Sequence, residues 1–181
     1  MVPFIGISAA VMAVLLWGIV IYNRLVSLRN DTASAWHQID VQLKRRYDLI
    51  PNLVAAVKGY MDYERDVLEK VTEARARALA AVALREKAAA EEDLSRAVER
   101  FLAVMESYPV LRSSENVMQL QEELVSTENR IAFARQFYND LVGNFRTRIE
   151  AFPDVLVSSL FAFRSPEFFS ADPGDRSLPR A

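Results

Sequence analysis

The sequence predicts an all-α protein with an N-terminal transmembrane helix, an antiparallel four-helix bundle and a short C-terminal amphipathic helix. Three observations support this prediction. The chain begins with a long apolar stretch that holds no charge, apolar side chains farther along recur at seven-residue spacing, and the middle of the chain contains few glycines and prolines. Neither Asn-Gly nor Asp-Gly occurs, so no tight hairpin between two strands is indicated.

The predicted anchor is the uncharged stretch FIGISAAVMAVLLWGIVIY, residues 4–22. At about 1.5 Å per residue, this stretch is long enough to cross a hydrocarbon core of roughly 30 Å. Trp17 and Tyr22 lie toward its C-terminal end, where amphipathic rings favour the membrane interface. A cleaved signal peptide is the alternative, but MVPF lacks a basic residue and VIYNR lacks a small-residue cleavage site. We therefore expect residues 1–23 to remain as an uncleaved anchor.

The distribution of basic residues predicts the orientation of the body. The first five all follow the anchor and none precedes it; they are Arg24, Arg29, Lys44, Arg45 and Arg46. The positive-inside rule then places the body in the cytoplasm. Over the whole chain, 22 basic and 24 acidic residues are interspersed, with a formal charge of -2. Nucleic-acid binding would favour a basic face, so we expect no nucleic-acid partner.

Two apolar series with seven-residue spacing indicate the first bundle helix. They are Trp36, Leu43, Ile50 and Val57 and, beside them, Tyr47, Val54 and Met61. Gly59 marks the predicted end of this helix. Pro51 lies inside it, where a proline costs about 3 kcal/mol and leaves the carbonyl of Tyr47 without its donor. We therefore predict a helix kink at Pro51.

Three further helices follow from the same kind of pattern. The second begins near Asp62 and turns Val67, Leu68, Val71 and Leu79 inward, and a poorly marked turn lies in VALREKAAAEED. The third carries Leu94, Val98, Phe101, Leu102 and Met105 and stops at Pro109. The fourth begins at Ser113 or Ser114, ends at Pro153, and carries Val117, Leu124, Ile131, Tyr138, Phe145 and Phe152. The amphipathic segment DVLVSSLFAF follows, and we expect a mostly disordered tail over 166–181.

The sequence contains no recognisable catalytic or metal-binding set. His37 is the only histidine, cysteine is absent, and no Glu-x-x-His pair or phosphate-binding glycine loop occurs. We therefore expect no enzymatic activity, no cofactor and no metal, and a surface role for His37. The carboxylates of 91–93 and of 122–123 are interpreted as solvated helix faces. The string TENRI at 127–131 is interpreted as fixing helix register rather than as a functional motif.

Two structural polar pairs are predicted between the first and last bundle helices. If these helices are antiparallel, facing residues have numbers with a constant sum, and pairing Trp36 with Tyr138 matches the two apolar seams. In this register Arg46 meets Glu128, and Asp40 meets Arg135. Such pairs at the edge of a core specify register more than they stabilise, because desolvation offsets much of the Coulomb attraction.

Four strings resemble the LemA family, in the family's order and over nearly the whole chain. They are YNRLVSLRNDTASAWHQIDVQLKRRYDLIPNLV, VKGYMDYERDVLEKVTEARA, YPVLRSSENVMQLQEELVSTENRIAFARQFYND and FPDVLVSSLFAFRSPEFF. The resemblance implies a bacterial inner-membrane protein with a single-pass anchor and a helical-bundle body over 24–165. Relatives include proteins of magnetosome membranes, and family members are associated with membrane proteases of the HtpX type. The resemblance implies no particular activity. Some relatives carry a lipidated cysteine before the YN pair, where this chain has Val20 and Ile21, so their body position does not transfer.

Three functional hypotheses follow. The first is a membrane-tethered interaction or scaffold protein that binds itself or an integral-membrane partner, for example an HtpX-type protease. The second is a membrane-shaping or lipid-binding protein in which the aromatic residues near the C-terminus lie on the bilayer; they are Phe161, Phe163, Phe168 and Phe169. The third is an enzyme without a recognisable motif.

Overall fold

The computed structural model describes residues 2–170, except the side chains of 2–5, 9, 10, 62 and 112. Within this part of the chain every regular element is a helix, as the sequence predicts. The elements are α1 (Val2–Val57), a 3-10 turn (Asp62–Glu64), α2 (Arg65–Ala80), α3 (Leu84–Met105), α4 (Pro109–Arg112), α5 (Glu115–Glu150) and α6 (Asp154–Leu160). Residues 163–170 are non-helical, and the predicted disorder of 171–181 lies outside the described residues.

Helix α1 is 56 residues long and joins the apolar stretch to the first body helix without interruption. The predicted boundary between 1–23 and 24–165 therefore lies inside one helix. The helix continues through Pro51 and ends at Val57, two residues before Gly59. Among the described residues, α1 is the one helix long and apolar enough to cross a membrane, with a mean hydropathy of 1.9 in its most apolar window.

The chain forms two compact units. Unit 1 comprises the described residues of Met1–His37 and Gln136–Phe168. Its core is formed by Ile21, Leu25 and Phe145, against which Leu28, Ile149, Val157 and Phe163 pack. Within unit 1, α1 and α5 run antiparallel, because the earlier residue Leu25 lies with Phe145 and the later residue Trp36 contacts Tyr138.

Unit 2 comprises Gln38–Arg135 and the described residues that follow Phe168. Helices α2 and α3 pack against each other in this unit. Its fully buried side chains come from every long helix; they include Ile39, Leu43, Ile50, Leu53, Val71, Leu94, Val98, Phe101 and Leu124. The backbone N–H of Met118 donates to the carbonyl of Ser114 at 3.0 Å, so α5 begins beside one of its two predicted cap residues.

Two residues assigned to the core are instead exposed. Leu79 is 51% exposed because α2 buries alanines at Ala74 and Ala78, and Leu79 lies about 100° around the helix from Ala78. Phe152 is 81% exposed because α5 has already ended at Glu150, so the helical period no longer sets its direction. The predicted turn after α2 lies at residues 81–83, at the start of the Ala-rich run.

Candidate functional site

Arg46 is the centre of a buried charge cluster in unit 2. Its side chain is 0% exposed and its Nη2 donates to a carboxylate oxygen of Glu91. Its Nη1 donates to both carboxylate oxygens of Glu128, at 2.9 and 2.8 Å, and to Ser95 Oγ at 2.8 Å. Ser95 in turn donates to Glu128 at 3.1 Å. One guanidinium on α1 therefore joins carboxylates of α3 and α5.

Glu91 was interpreted from the sequence as part of a solvated face, and that interpretation is wrong. Glu91 is fully buried, and its second carboxylate oxygen accepts a hydrogen bond from the hydroxyl of Tyr47. The signal was present in the spacing, because Ala88, Glu91 and Leu94 lie three residues apart on the buried stripe of α3. A carboxylate on an apolar stripe requires a buried donor, and Arg46 supplies it.

The environment favours the protonated form of Tyr47. Burial, followed by the hydrogen bond to Glu91, raises the pKa of Tyr47 above its ordinary value. Arg135 lies close to the same charges, with its guanidinium 4.9 Å from the ring centroid of Phe169. Burial lowers the pKa of Arg135, and the charge of Glu92 partly opposes this effect. Tyr47 is thus bonded to the cluster, whereas Arg135 lies over the Phe169 ring and feels the cluster's charges.

The structure brings together one of the two predicted polar pairs. Arg46 and Glu128 are in contact at 2.8 Å, whereas Asp40 accepts from Lys87 Nζ at 3.1 Å and Arg135 lies over Phe169. The structure therefore gives Asp40 and Arg135 other partners and does not show them as an ion pair. A register gives the level of a residue along a helix but not its direction. Asp40 and Arg46 are six positions apart, so their side chains point about 120° apart around α1.

Pro51 leaves a free carbonyl that α2 uses. A proline at this position cannot donate to the carbonyl of Tyr47, four residues earlier. That carbonyl accepts a hydrogen bond from Arg75 Nε at 2.7 Å. Arg75 lies on α2, so the missing helical hydrogen bond is replaced by a contact between two helices. The neighbouring charges Arg45 and Asp48 are exposed, and Arg45 Nε donates to Glu123 at 3.0 Å.

The cluster around Arg46 has the character of a structural centre. Its charged and hydroxyl groups bond to one another, and the described residues contain no group of three His, Asp or Glu side chains able to hold a metal ion. Two buried atoms, Arg46 Nε and Gln42 Oε1, have no hydrogen-bond partner among the described residues. An arrangement of this kind selects one register of the helices, because any slip separates buried opposite charges.

A separate cavity of about 500 Å³ lies in unit 1. Its lining includes Arg29, Trp36, His37, Tyr138 and Arg164. The Trp36 and Tyr138 rings meet edge to face, with centroids 5.5 Å apart, as the register predicts. His37 is exposed at this cavity. Sequence reasoning did not find the cavity, because its second wall is the non-helical segment 164–166, which has no periodic pattern.

The four C-terminal aromatic residues have different environments. Phe163 packs on the unit 1 core and Phe169 is buried in unit 2. Phe161 is exposed but also meets the Tyr22 ring, with centroids 4.7 Å apart. Phe168 is partly buried. The most exposed apolar residues of this region are instead Phe152, Leu156 and Leu160, which lie at four-residue spacing.

These features define an all-α protein with one N-terminal helix suited to a membrane and a helical body organised around buried charges. The LemA family model matches residues 35–180, so the chain belongs to the LemA family. Magnetosome proteins MamQ 1 and MamQ 2 of Paramagnetospirillum magneticum are each 23% identical to it, over 87% of this chain and 68% of the relative. Magnetosome protein MamQ of Magnetospirillum gryphiswaldense is 22% identical over the same shares.

Proposed function

We propose that this protein is a membrane-anchored helical scaffold that binds a second protein and carries out no chemistry of its own. The observation that carries this proposal is the continuity of α1, in which an apolar stretch and a body helix form one element. Its MamQ relatives are magnetosome proteins, which is compatible with a role at a membrane. The anchor is single-pass in a bacterial inner membrane. The body lies on the cytoplasmic side, because the basic residues that follow Tyr22 favour that orientation.

The body is an antiparallel four-helix bundle formed by α1, α2, α3 and α5. Contacts within unit 2 support this arrangement. Asp40 and Arg46 on α1 meet Lys87 and Glu91 on α3 in increasing order, which indicates parallel helices. The short connection at 81–83 makes α2 antiparallel to α3. A bundle locked by buried charges presents its outer faces in one fixed arrangement, as a scaffold requires.

The protein-binding surface includes exposed apolar side chains on α1 and α5. Phe133 is 72% exposed and Val41 is 62% exposed. In the register that joins Arg46 to Glu128, these two residues lie at the same level of the two helices. Large exposed apolar side chains on a helical body are typical of protein interaction sites. The partner is a second copy of this chain or an integral-membrane protein, such as an HtpX-type protease.

Crosslinking in native membranes tests this function. The full chain is crosslinked and purified, and the captured polypeptides are identified beside a Phe133→Asp variant. Tyr63→Asp is the matched control, because Tyr63 is 97% exposed but lies in the 3-10 turn. We expect a self-crosslink or an integral-membrane partner that Phe133→Asp removes and Tyr63→Asp retains. A product that both variants retain, or no product, would contradict the proposed surface.

Carbonate extraction tests the anchor separately. We expect the full chain to stay in the membrane pellet with its N-terminal segment intact, because residues 4–22 carry no charge and no cleavage site. A soluble product trimmed at its N-terminus would show that the apolar stretch is a signal peptide.

A lipid-binding function is the second candidate, and it rests on α6. The exposed side chains of Leu156 and Leu160 on α6 belong to the same unit as Tyr22, whose ring meets Phe161. An apolar strip beside the membrane end of an anchor suits the bilayer interface. Because the chain has no cysteine, Leu160→Cys gives a unique site for a fluorophore. We expect a lipid-soluble quencher to reach the fluorophore at Leu160→Cys but not a fluorophore at Tyr63→Cys. If only a water-soluble quencher reaches the fluorophore at Leu160→Cys, the lipid-binding role is excluded.

A further inference from the structure

The cavity of unit 1 has the size and charge of a ligand site. Its volume of about 500 Å³ lies within the usual range for small-ligand pockets, roughly 300 to 1,000 Å³. Arg29 and Arg164 line it from α1 and from the segment after α6. Within the described part of the chain, neither arginine forms an ion pair. None of the residues that line the cavity is acidic. Two arginines therefore line the same space with no acidic residue in its lining, and the charge of Glu167 acts on the neighbouring Tyr138.

The cavity walls are fixed by contacts that leave these guanidinium groups available. Arg29 lies over the Phe163 ring, 5.7 Å from its centroid. The Tyr138 hydroxyl donates to the backbone carbonyl of Glu167 at 3.0 Å, and the Thr32 hydroxyl donates to the carbonyl of Leu28 at 2.7 Å. The hydroxyl hydrogens of the walls are thus already used. The lining also contains the N–H donors of Trp36 and His37 and the guanidinium groups of two arginines, whose planar fork matches a phosphate group.

The position of the cavity relates it to the membrane surface. The Phe163 ring contacts both the Arg29 guanidinium and the Tyr22 ring, each at 5.7 Å. Tyr22 ends the apolar stretch, and helix side chains tilt toward the N-terminus, which for Arg29 is the membrane direction. The lipid headgroup layer extends roughly 5 to 8 Å beyond the hydrocarbon core. Arg29 therefore reaches toward the depth at which lipid phosphates lie.

We propose that this cavity binds a phosphate group, held between Arg29 and Arg164 and carried by the headgroup of an anionic phospholipid. The proposal goes beyond the scaffold function and shares with it only the membrane anchor. A soluble phosphate ester has the same binding chemistry, so the experiment distinguishes the two sources. It also separates a defined site from diffuse attraction between basic residues and an anionic surface.

Trp36 is a fluorescent reporter inside the cavity. The chain has two tryptophans, so Trp17→Phe leaves Trp36 as the sole emitter. The full chain with this change is placed in zwitterionic nanodiscs, and phosphatidylglycerol is increased in one series. In a second series the membrane stays zwitterionic and soluble glycerophosphoglycerol, the same headgroup without acyl chains, is added. We expect a saturable change of Trp36 emission with phosphatidylglycerol, and with glycerophosphoglycerol only at much higher concentration.

Charge variants decide whether the response comes from the cavity. Arg29→Gln and Arg164→Gln should each raise the half-saturating phosphatidylglycerol content by about tenfold, the usual effect of losing one charge-assisted contact. Arg24→Gln is the matched control, because it removes the same charge near the membrane but does not line the cavity. Unchanged helical circular dichroism verifies that each variant folds. No saturable response in either series, or an equal effect of Arg24→Gln, would overturn the proposal, and a response to the soluble ester alone would overturn its lipid part.

Discussion

The guanidinium of Arg46 and the carboxylate of Glu91 form an ion pair in the interior of unit 2, although 45 positions separate them in the sequence. Their side chains are 0% and 1% exposed. The adjacent Arg45 has a side chain that is 49% exposed and pairs with Glu123 at the surface. Two consecutive arginines thus form ion pairs in opposite environments, which makes them a direct comparison of buried and exposed charge.

Arg46→Met should lower the free energy of unfolding by about 3 to 5 kcal/mol, because it leaves Glu91 buried without its cationic partner. Arg45→Met should lower it by less than about 1 kcal/mol, because water screens an exposed pair. Urea denaturation of the full chain in mild detergent, followed by helical circular dichroism, measures both. Equal losses of stability in the two variants would show that burial does not make the ion pairs of Arg46 more important than the exposed pair of Arg45.

Replacing the whole cluster should cost much less than breaking it. In Arg46→Met combined with Glu91→Met and Glu128→Leu, no charge of the cluster remains unpaired, and apolar side chains fill the space. We expect the triple variant to regain most of the stability lost in Arg46→Met. Comparing the triple variant with the variants that carry one or two of these three changes gives the coupling energy among the three side chains. A triple variant that is no more stable than Arg46→Met would show that the charges themselves are required for folding.

Periodicity was enough to predict the helices and most of the core. Leu43, Ile50 and Leu124 lie in seven-residue series and are buried, because a helix with one apolar stripe buries that stripe against its neighbours. The same register placed Arg46 beside Glu128. The prediction missed Glu91 because the carboxylates of 91–93 were interpreted as a charge run. Glu91 nevertheless lies on the same buried stripe of α3 as Ala88 and Leu94, so its spacing carried the signal.

The less predictable features lie where no helical period applies. Phe152 and the cavity wall at 164–166 belong to turns and extended segments, whose side-chain directions depend on tertiary contacts. Pro51 is an intermediate case. The sequence predicts a free carbonyl at Tyr47, but only the fold reveals that Arg75 donates to it.

Tyr47→Phe should lower stability and change its dependence on pH. The variant removes a hydrogen bond to the buried Glu91 carboxylate, at a cost of about 1 to 3 kcal/mol. The folded chain raises the pKa of Tyr47, so above about pH 10 the unfolded chain loses this proton first. The contribution of Tyr47 to stability is therefore fully present below about pH 10 and falls as the pH rises further.

The urea midpoint measured from pH 8 to pH 11 should accordingly decline less steeply in Tyr47→Phe than in the unmodified chain. Tyr60→Phe is the control, because Tyr60 is exposed in the turn after α1, and it should leave the stability almost unchanged. An equally steep alkaline decline in both variants would contradict a role of Tyr47 in the pH dependence.

Ala162→Gly should raise the stability of the α6 region. Ala162 has a φ of 52°, a left-handed conformation in which an alanine is strained. The backbone N–H of Phe163 donates to the carbonyl of Ser158 at 2.9 Å, so Ala162 occupies the helix-ending position that glycine usually holds. We expect a gain of about 0.5 to 1 kcal/mol in urea denaturation. Ala132→Gly, in the interior of α5, makes the same chemical change and should lose about 1 kcal/mol. A loss at both positions would contradict the strain at Ala162.

The contact between Arg75 and the Tyr47 carbonyl should depend on Pro51. Pro51→Ala restores a helical donor to this carbonyl, and we expect the fold to remain intact, α1 to straighten, and the stability to hold or rise. Arg75→Met should cost about 1 to 2 kcal/mol while Pro51 is present, because the carbonyl then loses its donor. A marked loss in Pro51→Ala would show that packing requires the proline.

The double variant tests the dependence itself. With Ala at position 51, the carbonyl of Tyr47 keeps a backbone donor after Arg75→Met, so the arginine change should cost less than half of its value in the Pro51 background. Urea denaturation of the four chains gives this difference directly. Arg77→Met is the control on α2, because Arg77 is exposed and pairs only loosely with Glu73, at 3.9 Å. If Arg75→Met costs the same with Pro51 and with Ala, the arginine acts through its packing, and the proline-freed carbonyl contributes nothing to the docking of α2.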